Sequence, residues 1–244
     1  MAERVWDRFL TEQDKAHLAR QGRRPVGFGT QPALLLVDLY RWVFGDRPQP
    51  LLESIQEWPA SCGLAGWQAL PQIRTLLDAA RQAEIPIVHV TGLGGVGVPG
   101  WAARTHGGQG APRNEADAER RRRRYDIVDE VAPRAGEAVL RKSSPSAFWG
   151  TPLVAHLQAL RVDTVLTCGE STSGCVRASV VDGCTLGLRM IVAEECVFDR
   201  HEATHAINLF DLHQKYADVL PLADVLAYLS ERRLAGRPAA ATGD

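Results

Sequence analysis

Short apolar runs alternate with longer amphipathic segments along most of the chain. The runs contain too few polar positions for strands with one solvated face, which indicates strands buried on both faces. The segments between them repeat apolar residues every three or four positions, as amphipathic helices do. The alternation predicts an α/β fold with three layers, in which a doubly wound, mostly parallel sheet lies between helices. The predicted strands are "PALLLVDLY" (32–40), "IPIVHVT" (85–91), "GEAVLRK" (136–142), "VDTVLTCG" (162–169), "LRMIVAEEC" (188–196) and "ADVLP" (217–221).

The helical patterns link these strands without a break that would divide the chain. No linker interrupts residues 25–232, so we expect one domain there. Residues 1–24 form an N-terminal extension whose pattern at 4–20 predicts an amphipathic helix, compatible with packing on a partner subunit. Residues 92–125, rich in Gly and Arg, are expected to be irregular, and 233–244 to be a disordered tail. The predicted helices within the domain cover 69–84, 151–161, 175–187, 201–216 and 222–233.

Composition and charge narrow the functional classes. A net charge of −1 gives no general attraction to nucleic acid or to a membrane surface. The basic block "ERRRRRY" (119–125) is flanked by acidic residues, so we interpret it as a solvated face or mobile loop rather than a phosphate-binding patch. Five cysteines without a C-x-x-C spacing argue against a disulfide framework and a zinc knuckle. With no signal-type or membrane-spanning apolar run, we expect a cytoplasmic protein.

The carboxyl ends of the predicted strands place the candidate chemistry at one edge of the sheet. In parallel sheets, ligands bind beyond these ends. Cys175 ends the turn "CGESTSGC" (168–175), at the start of a predicted helix. Unpaired backbone N–H groups and the helix dipole stabilise a thiolate there, and small neighbours leave those N–H groups open to an oxyanion. The alternative is a buried, inert cysteine.

Two charged residues close other strands at the same predicted edge. Asp38 ends the run Leu34 to Val37, and a carboxylate in such surroundings is costly to desolvate unless it is paired. It is a candidate general base, although a capping role is the alternative. Lys142 ends "GEAVLRK", where a lysine is usually solvated. Beside a carboxylate and a thiol it would instead hold both anions and lower the pKa of the thiol.

Three segments resemble the isochorismatase-like cysteine hydrolases. These are "FGTQPALLLVD", "KSSPSAFWGTPL" and "GESTSGCVRASVVDG", in the family's order and spacing. The late segment "NLFDLHQKYADV" resembles the branch with N-carbamoylsarcosine amidase and maleamate amidase, and the resemblance covers residues 25–232. It implies a six-stranded, mostly parallel sheet, no cofactor, and a homo-oligomer. The implied activity is hydrolysis of an amide or carbamoyl bond of a small carboxylate-bearing substrate, through a Cys thioester and with release of ammonia.

The resemblance also assigns roles to individual residues. It implies a catalytic triad of Asp38, Lys142 and Cys175. It further implies a cis peptide bond between Glu170 and Ser171, so that the N–H groups of Ser171 and Cys175 point together at an oxyanion. Glu170 departs from the small or apolar residue usual in the family, and we expect its side chain to point away from the site.

The sequence also offers candidates for contact with the substrate. Arg200, in "FDRHEATH", matches by spacing the arginine that the resemblance assigns to the substrate carboxylate, with a surface salt bridge as the alternative. The aromatic residues expected to wall the pocket are Tyr40, Phe44, Phe148 and Trp149.

Some features of the sequence have to be weighed against hydrolysis: a dinucleotide-binding motif, a possible metal site and a non-catalytic role. "GLGGVG" (92–97) fits a dinucleotide-binding motif, but Pro99 and Gly100 follow where a helix should receive the phosphates. A metal site like that of nicotinamidases would need histidines soon after the first strand, and 39–88 has none; His201 and His205 alone have helical ligand spacing. We therefore expect no metal. A non-catalytic binding protein on the same scaffold is the remaining alternative.

Overall fold

The strands follow the predicted apolar runs closely. The computed structural model describes residues 4–94 and 111–235. Its sheet has the order β3-β2-β1-β4-β5-β6, and every neighbouring pair is parallel. The predicted three-layer α/β fold is confirmed. The strands are β1 (Pro32–Val37), β2 (Ile87–Gly92), β3 (Ala138–Lys142), β4 (Thr164–Glu170), β5 (Arg189–Phe198) and β6 (Asp218–Leu220).

Helices cover both faces of the sheet, which explains why the central strands are apolar throughout. Along β1, Leu34 and Leu36 belong to one core cluster, whereas Leu35 and Val37 belong to the other. Successive side chains of a strand point to opposite faces, so a strand covered on both sides needs an apolar residue at every position. The helices are α1 (Glu12–Gln21), α2 (Arg41–Phe44), α3 (Leu51–Glu57), α4 (Leu64–Gln82), α5 (Glu115–Arg123), α6 (Leu153–Ala159), α7 (Arg177–Thr185), α8 (Glu202–Lys215) and α9 (Leu222–Ala235).

The N-terminal segment differs from the single helix predicted for 4–20. A short 3-10 helix, Asp7–Phe9, precedes α1, and Thr11 caps α1 by accepting a hydrogen bond from the Asp14 N–H. Trp6 is buried in the protein's own core, with its ring 6.2 Å from that of Phe210. The apolar residue at the front of this segment therefore packs on its own chain.

Two further expectations are corrected. Residues 115–123, within the segment predicted to be irregular, form α5, whose acidic first turn and arginine-rich last turn complement the helix dipole. Helix α9 continues to Ala235, so the predicted tail begins three residues too early. The rest of that tail, 236–244, and residues 95–110 lie outside the described residues. No helix in the described part of the chain is long and apolar enough to cross a membrane.

Candidate active site

A cavity of about 220 Å³ opens at the carboxyl edge of the sheet. The order of the strands explains this position. After β1 the chain adds β2 and β3 on one side of β1, and then β4, β5 and β6 on the other side. Such a switch point leaves a crevice between the loops that follow neighbouring strands. The cavity is lined by Tyr40, Trp42, Val43, Ala60, Gly92, Leu93, Tyr125, Lys142, Glu170, Ser171, Gly174, Cys175 and Arg200.

Asp38, Lys142 and Cys175 come together at the base of this crevice. Lys142 Nζ lies 2.7 Å from Asp38 Oδ2 and donates a hydrogen bond to Cys175 Sγ at 3.1 Å. It also donates to the Ser144 carbonyl at 3.0 Å. Asp38 and Lys142 are almost fully buried, whereas Cys175 is half-buried. Asp38 follows β1, Lys142 ends β3 and Cys175 follows β4, and these side chains meet because parallel strands end at the same edge of the sheet.

Close contact between β1 and β4 brings the Cys175 turn to Asp38. Gly169 has a φ of +117°, and a Cβ there would lie 2.0 Å from the Val37 carbonyl oxygen. Only glycine permits this approach. The pairing of β4 with β5 shifts register between Thr167, which pairs with Val192, and Gly169, which pairs with Val197, so β5 bulges beside the end of β4. Asp38 itself has a φ of +56°, a conformation that Asp tolerates better than most residues.

The turn that carries Cys175 is held from several sides. The Glu170–Ser171 peptide bond is cis. Residues Thr172–Val176 form a turn before α7 that is kinked at Gly174, whose φ of −113° and ψ of −105° are not helical. The Asp199 carboxylate accepts hydrogen bonds from the Ser173 N–H at 2.9 Å and its hydroxyl at 2.7 Å. Ser171 and Gly174 line the cavity beside Cys175, so backbone of this turn is exposed to a bound molecule.

Burial dominates the electrostatics of the thiol. It raises the pKa of Cys175, and the Asp38 carboxylate raises it further, while Lys142 lowers it. Lys142 thus acts on the pKa of Cys175 in the expected direction, but burial and the Asp38 carboxylate outweigh it. Burial also acts to lower the pKa of Lys142, yet the neighbouring Asp38 carboxylate raises it above its usual range. The resting site consequently holds a thiol, an ammonium and a carboxylate.

Arg200 and Glu170 form a second charged pair in the same cavity. Arg200 follows β5, and its Nη1 donates to Glu170 Oε1 at 2.8 Å. Its Nη2 donates to the Ala60 carbonyl, and Cys62 Sγ lies 3.5 Å from the same Glu170 oxygen. The Glu170 side chain thus points into the site, not away from it as expected.

The structure distributes the four predicted wall residues between the cavity and other places. Tyr40 lines the cavity. Phe44 is fully buried in the core, where it packs against Trp67 and Phe198. Phe148 is buried in the core cluster on the other face of the sheet, and Trp149 is 68% exposed. These three residues do not line the cavity. They were predicted to do so because the position of a residue along the chain does not reveal which way its ring points.

Several lining residues were missed by sequence reasoning. Trp42 and Val43 follow Asp38 closely, and their position just after the first strand was a usable signal. No signal in the sequence pointed to Tyr125, because contacts with residues distant along the chain place it in the site. Its carbonyl accepts a hydrogen bond from the Thr91 hydroxyl, and the Arg124 guanidinium contacts the rings of both Tyr125 and Trp42, 4.8 and 4.9 Å from their centroids.

The glycine-rich motif has a packing role where it is described. Gly92 is the last residue of β2, and a Cβ there would lie 2.2 Å from the Tyr125 ring. The motif's remaining residues from 95 onwards lie outside the described residues. His205 Nδ1 is 2.8 Å from the Thr172 hydroxyl, while His201 is exposed. The two histidines with helical spacing therefore have different surroundings.

Comparison with known proteins identifies relatives over most of the chain. An isochorismatase domain model matches residues 32–224. The chain is 37% identical to maleamate amidohydrolase from Pseudomonas putida over 219 residues, covering 86% of this chain and 92% of that protein. It is 29% identical to N-carbamoylsarcosine amidase from Arthrobacter sp. over 220 residues, covering 85% and 74% respectively.

Solved structures agree with the fold. An isochorismatase-like hydrolase from Alkaliphilus metalliredigens covers 81% of this chain and 98% of its own, with a TM-score of 0.63 at 20% identity. An isochorismatase-family protein from Chromobacterium violaceum gives a TM-score of 0.61 at 29% identity and covers 86% of this chain and all of its own.

Proposed function

The chain belongs to the isochorismatase family, and we propose that it hydrolyses the amide group of a small carboxylate-bearing substrate through a thioester on Cys175. Relatives that match most of its length are amidohydrolases, and the protein is a hydrolase of carbon–nitrogen bonds other than peptide bonds. The single observation that carries the residue assignment is the chain of contacts from Asp38 through Lys142 to Cys175, at the base of a small cavity.

The raised pKa of Cys175 indicates that the first step begins from the thiol. Asp38 takes the thiol proton while the sulfur forms a bond to the amide carbon. The tetrahedral intermediate collapses, the C–N bond breaks, and the proton on Asp38 passes to the leaving nitrogen, which departs as ammonia. Lys142 remains charged throughout and stabilises the anions on both sides of it.

Hydrolysis of the thioester uses the same groups in reverse. Asp38 takes a proton from water, and the water oxygen attacks the thioester carbon. The C–S bond then breaks, and the sulfur recovers the proton from Asp38. Overall, one amide and one water give one carboxylic acid and one ammonia. The backbone N–H groups of Ser171 and Cys175 are proposed to hold the oxyanion in both steps, and losing such donors costs about 10²–10³ in rate.

Cavity size and charge support a small anionic substrate. A volume of about 220 Å³ suits a molecule of few atoms. Arg200 lines the cavity, and a guanidinium binds a carboxylate with two parallel hydrogen bonds. Maleamate is the first candidate, because the relative that acts on it shares 37% identity with this chain. N-carbamoyl amino acids are the second candidates, since N-carbamoylsarcosine amidase is the next relative.

We also infer the extent of the catalytic unit and its setting. The unit is proposed to cover residues 25–232, and the domain match over 32–224 supports this range. Five free cysteines favour a reducing compartment, so a cytoplasmic location is proposed. A homo-oligomer is proposed from the family resemblance, and light scattering after size-exclusion chromatography would test it.

Ammonia release tests the proposal directly. The wild type is expected to release ammonia from maleamate, and Cys175→Ala to fall below about 0.1% of that rate while it stays folded. Cys184→Ala is the matched control, because Cys184 is also half-buried but lies within α7 and away from the cavity. Arg200→Ala should raise KM for maleamate about 10- to 100-fold. Full activity in Cys175→Ala would show that the thiol is not the nucleophile.

A further inference from the structure

The position of Glu170 creates a conflict for an anionic substrate. Glu170 is the last residue of β4 and 5% exposed, and its carboxylate meets Arg200 within the cavity that holds Cys175. The guanidinium that would receive a substrate carboxylate therefore already has an anionic partner. This carboxylate has no part in the proton transfers proposed above.

Arg200 is held in place by two acceptors. Its Nη1 donates to Glu170 Oε1 at 2.8 Å, and its Nη2 donates to the Ala60 carbonyl. Each of these nitrogens carries two N–H groups, so each has a second N–H after these bonds are made. A substrate carboxylate can therefore reach the guanidinium while Glu170 remains bound to it. It then lies beside the Glu170 carboxylate, with one cation shared between two acidic groups.

The charges of the two ion pairs in the site cancel when Glu170 is ionised. Asp38 and Glu170 each contribute −1, Lys142 and Arg200 each contribute +1, and Cys175 is a thiol at rest. An arriving carboxylate would add an uncompensated negative charge to a buried site, which is strongly unfavourable. Protonation of Glu170 would remove this excess and release the charge of Arg200 for the substrate.

We infer that Glu170 is a specificity-determining residue that shares Arg200 with the substrate carboxylate and takes up a proton when that carboxylate binds. This inference rests on the proposed function. It predicts that the preference for a carboxylate-bearing amide over a neutral amide weakens as pH rises, because ionised Glu170 competes for Arg200.

The surroundings of Glu170 raise the pKa of its carboxyl into the pH range in which activity can be measured. Burial raises the pKa of Glu170 to about 7, with Arg200 lowering it and with Asp38 and Asp199 raising it. The other groups that face it are the Cys62 thiol, from the loop before α4, and Tyr40 and Cys175 in the cavity. Below pH 7 the carboxyl is mostly neutral and anion binding is tight. Above pH 7 substrate binding must draw in a proton, and KM rises.

The wild type alone provides the first test. The measurement is the ratio of kcat/KM for maleamate to that for the diamide of maleic acid, in which a second amide replaces the carboxylate, from initial rates of ammonia release. Groups that act on both substrates, such as Cys175, cancel in this ratio. We expect it to fall about tenfold between pH 6 and pH 8, and the change to lie in KM for maleamate. A ratio that does not change over this range overturns the inference.

A substitution provides the second test. Glu170→Gln keeps an oxygen for Arg200 but cannot ionise, so its ratio should be independent of pH and about tenfold above the wild-type value at pH 8. The control is Glu194→Gln, which removes another buried glutamate, paired with Arg4 at 2.5 Å but outside the cavity, and should keep the wild-type profile. A wild-type slope that survives in Glu170→Gln also overturns the inference.

The two proposals fail in different ways. If the wild type releases no ammonia from maleamate, from the diamide or from N-carbamoyl amino acids, the proposed function is refuted, and this inference with it. If ammonia is released but the ratio is flat, the function stands and the role of Glu170 is refuted. Because the wild-type profile needs no substitution, the inference can be tested even if Glu170→Gln does not fold.

Discussion

Replacing Asp38 with asparagine should change the reactivity of Cys175 and the activity of the enzyme in opposite directions. The Asp38 carboxylate raises the pKa of Cys175, whereas Lys142 lowers it. Asparagine has nearly the same shape but no charge. The sulfur then keeps the neighbouring ammonium and loses the neighbouring carboxylate, so its pKa should fall. The variant also loses the proposed general base, so amide hydrolysis should fail.

The size of the effect can be bounded from the geometry. Asp38 Oδ2 and Cys175 Sγ are no more than about 5.8 Å apart, because Lys142 Nζ lies 2.7 Å from one and 3.1 Å from the other. At an effective dielectric constant of about 20, two unit charges at that distance repel by about 3 kcal/mol. We expect at least a tenfold faster reaction of Cys175 with iodoacetamide at pH 7 in Asp38→Asn, since thiolate is the reactive form. We also expect about a 10²–10⁴-fold loss of kcat.

The assay follows alkylation of each cysteine by mass spectrometry and ammonia release in parallel. Cys184, which is half-buried in α7, is the internal reference for general changes in accessibility. Asp182→Asn is the matched variant, because it removes a carboxylate from α7 that does not line the cavity. Slower or unchanged alkylation of Cys175 in Asp38→Asn would refute the electrostatic account. Retained hydrolysis would refute the role of Asp38 as the base.

Two further predictions concern stability, both measured by urea denaturation. Gly169→Ala should destabilise the protein by about 3 kcal/mol, because the new Cβ would lie 2.0 Å from the Val37 carbonyl oxygen. The control is Gly187→Ala, also at positive φ but in open space, which should cost about 1 kcal/mol. Equal losses of stability in the two variants would contradict the steric explanation. Burial acts to raise the pKa of Glu137, but hydrogen bonds with Arg81, the Arg134 N–H and His89 outweigh it and lower the pKa to about 2. A lowered pKa stabilises the folded state above the unfolded value, so Glu137→Gln should lose about 2–3 kcal/mol at pH 7, and its difference from the wild type should disappear as pH falls from about 4.5 to 2. A difference that is constant with pH would contradict this prediction.

Much of the fold and part of the site could be predicted without coordinates. The apolar runs identified all six strands of the sheet, because a strand covered on both faces needs apolar residues at every position. Asp38 and Lys142 stood out because each is a charged residue at the end of such a run, and Cys175 because small residues precede it. These signals are local, and a parallel sheet gathers the ends of its strands at one edge.

What only the tertiary structure decided depends on contacts between distant parts of the chain. The order of the strands, which brings β1 beside β4, is set by packing and leaves no periodic signal. The direction of each aromatic ring likewise depends on its neighbours, so Tyr40 faces the cavity while Phe44 and Phe148 lie in the core. The pairing of Glu170 with Arg200 joins residues from two strand ends, and the raised pKa of Cys175 follows from burial in the assembled site. Sequence pattern thus determined which residues are near the edge of the sheet, whereas distance, burial and charge compensation at that edge arose only when the chain folded.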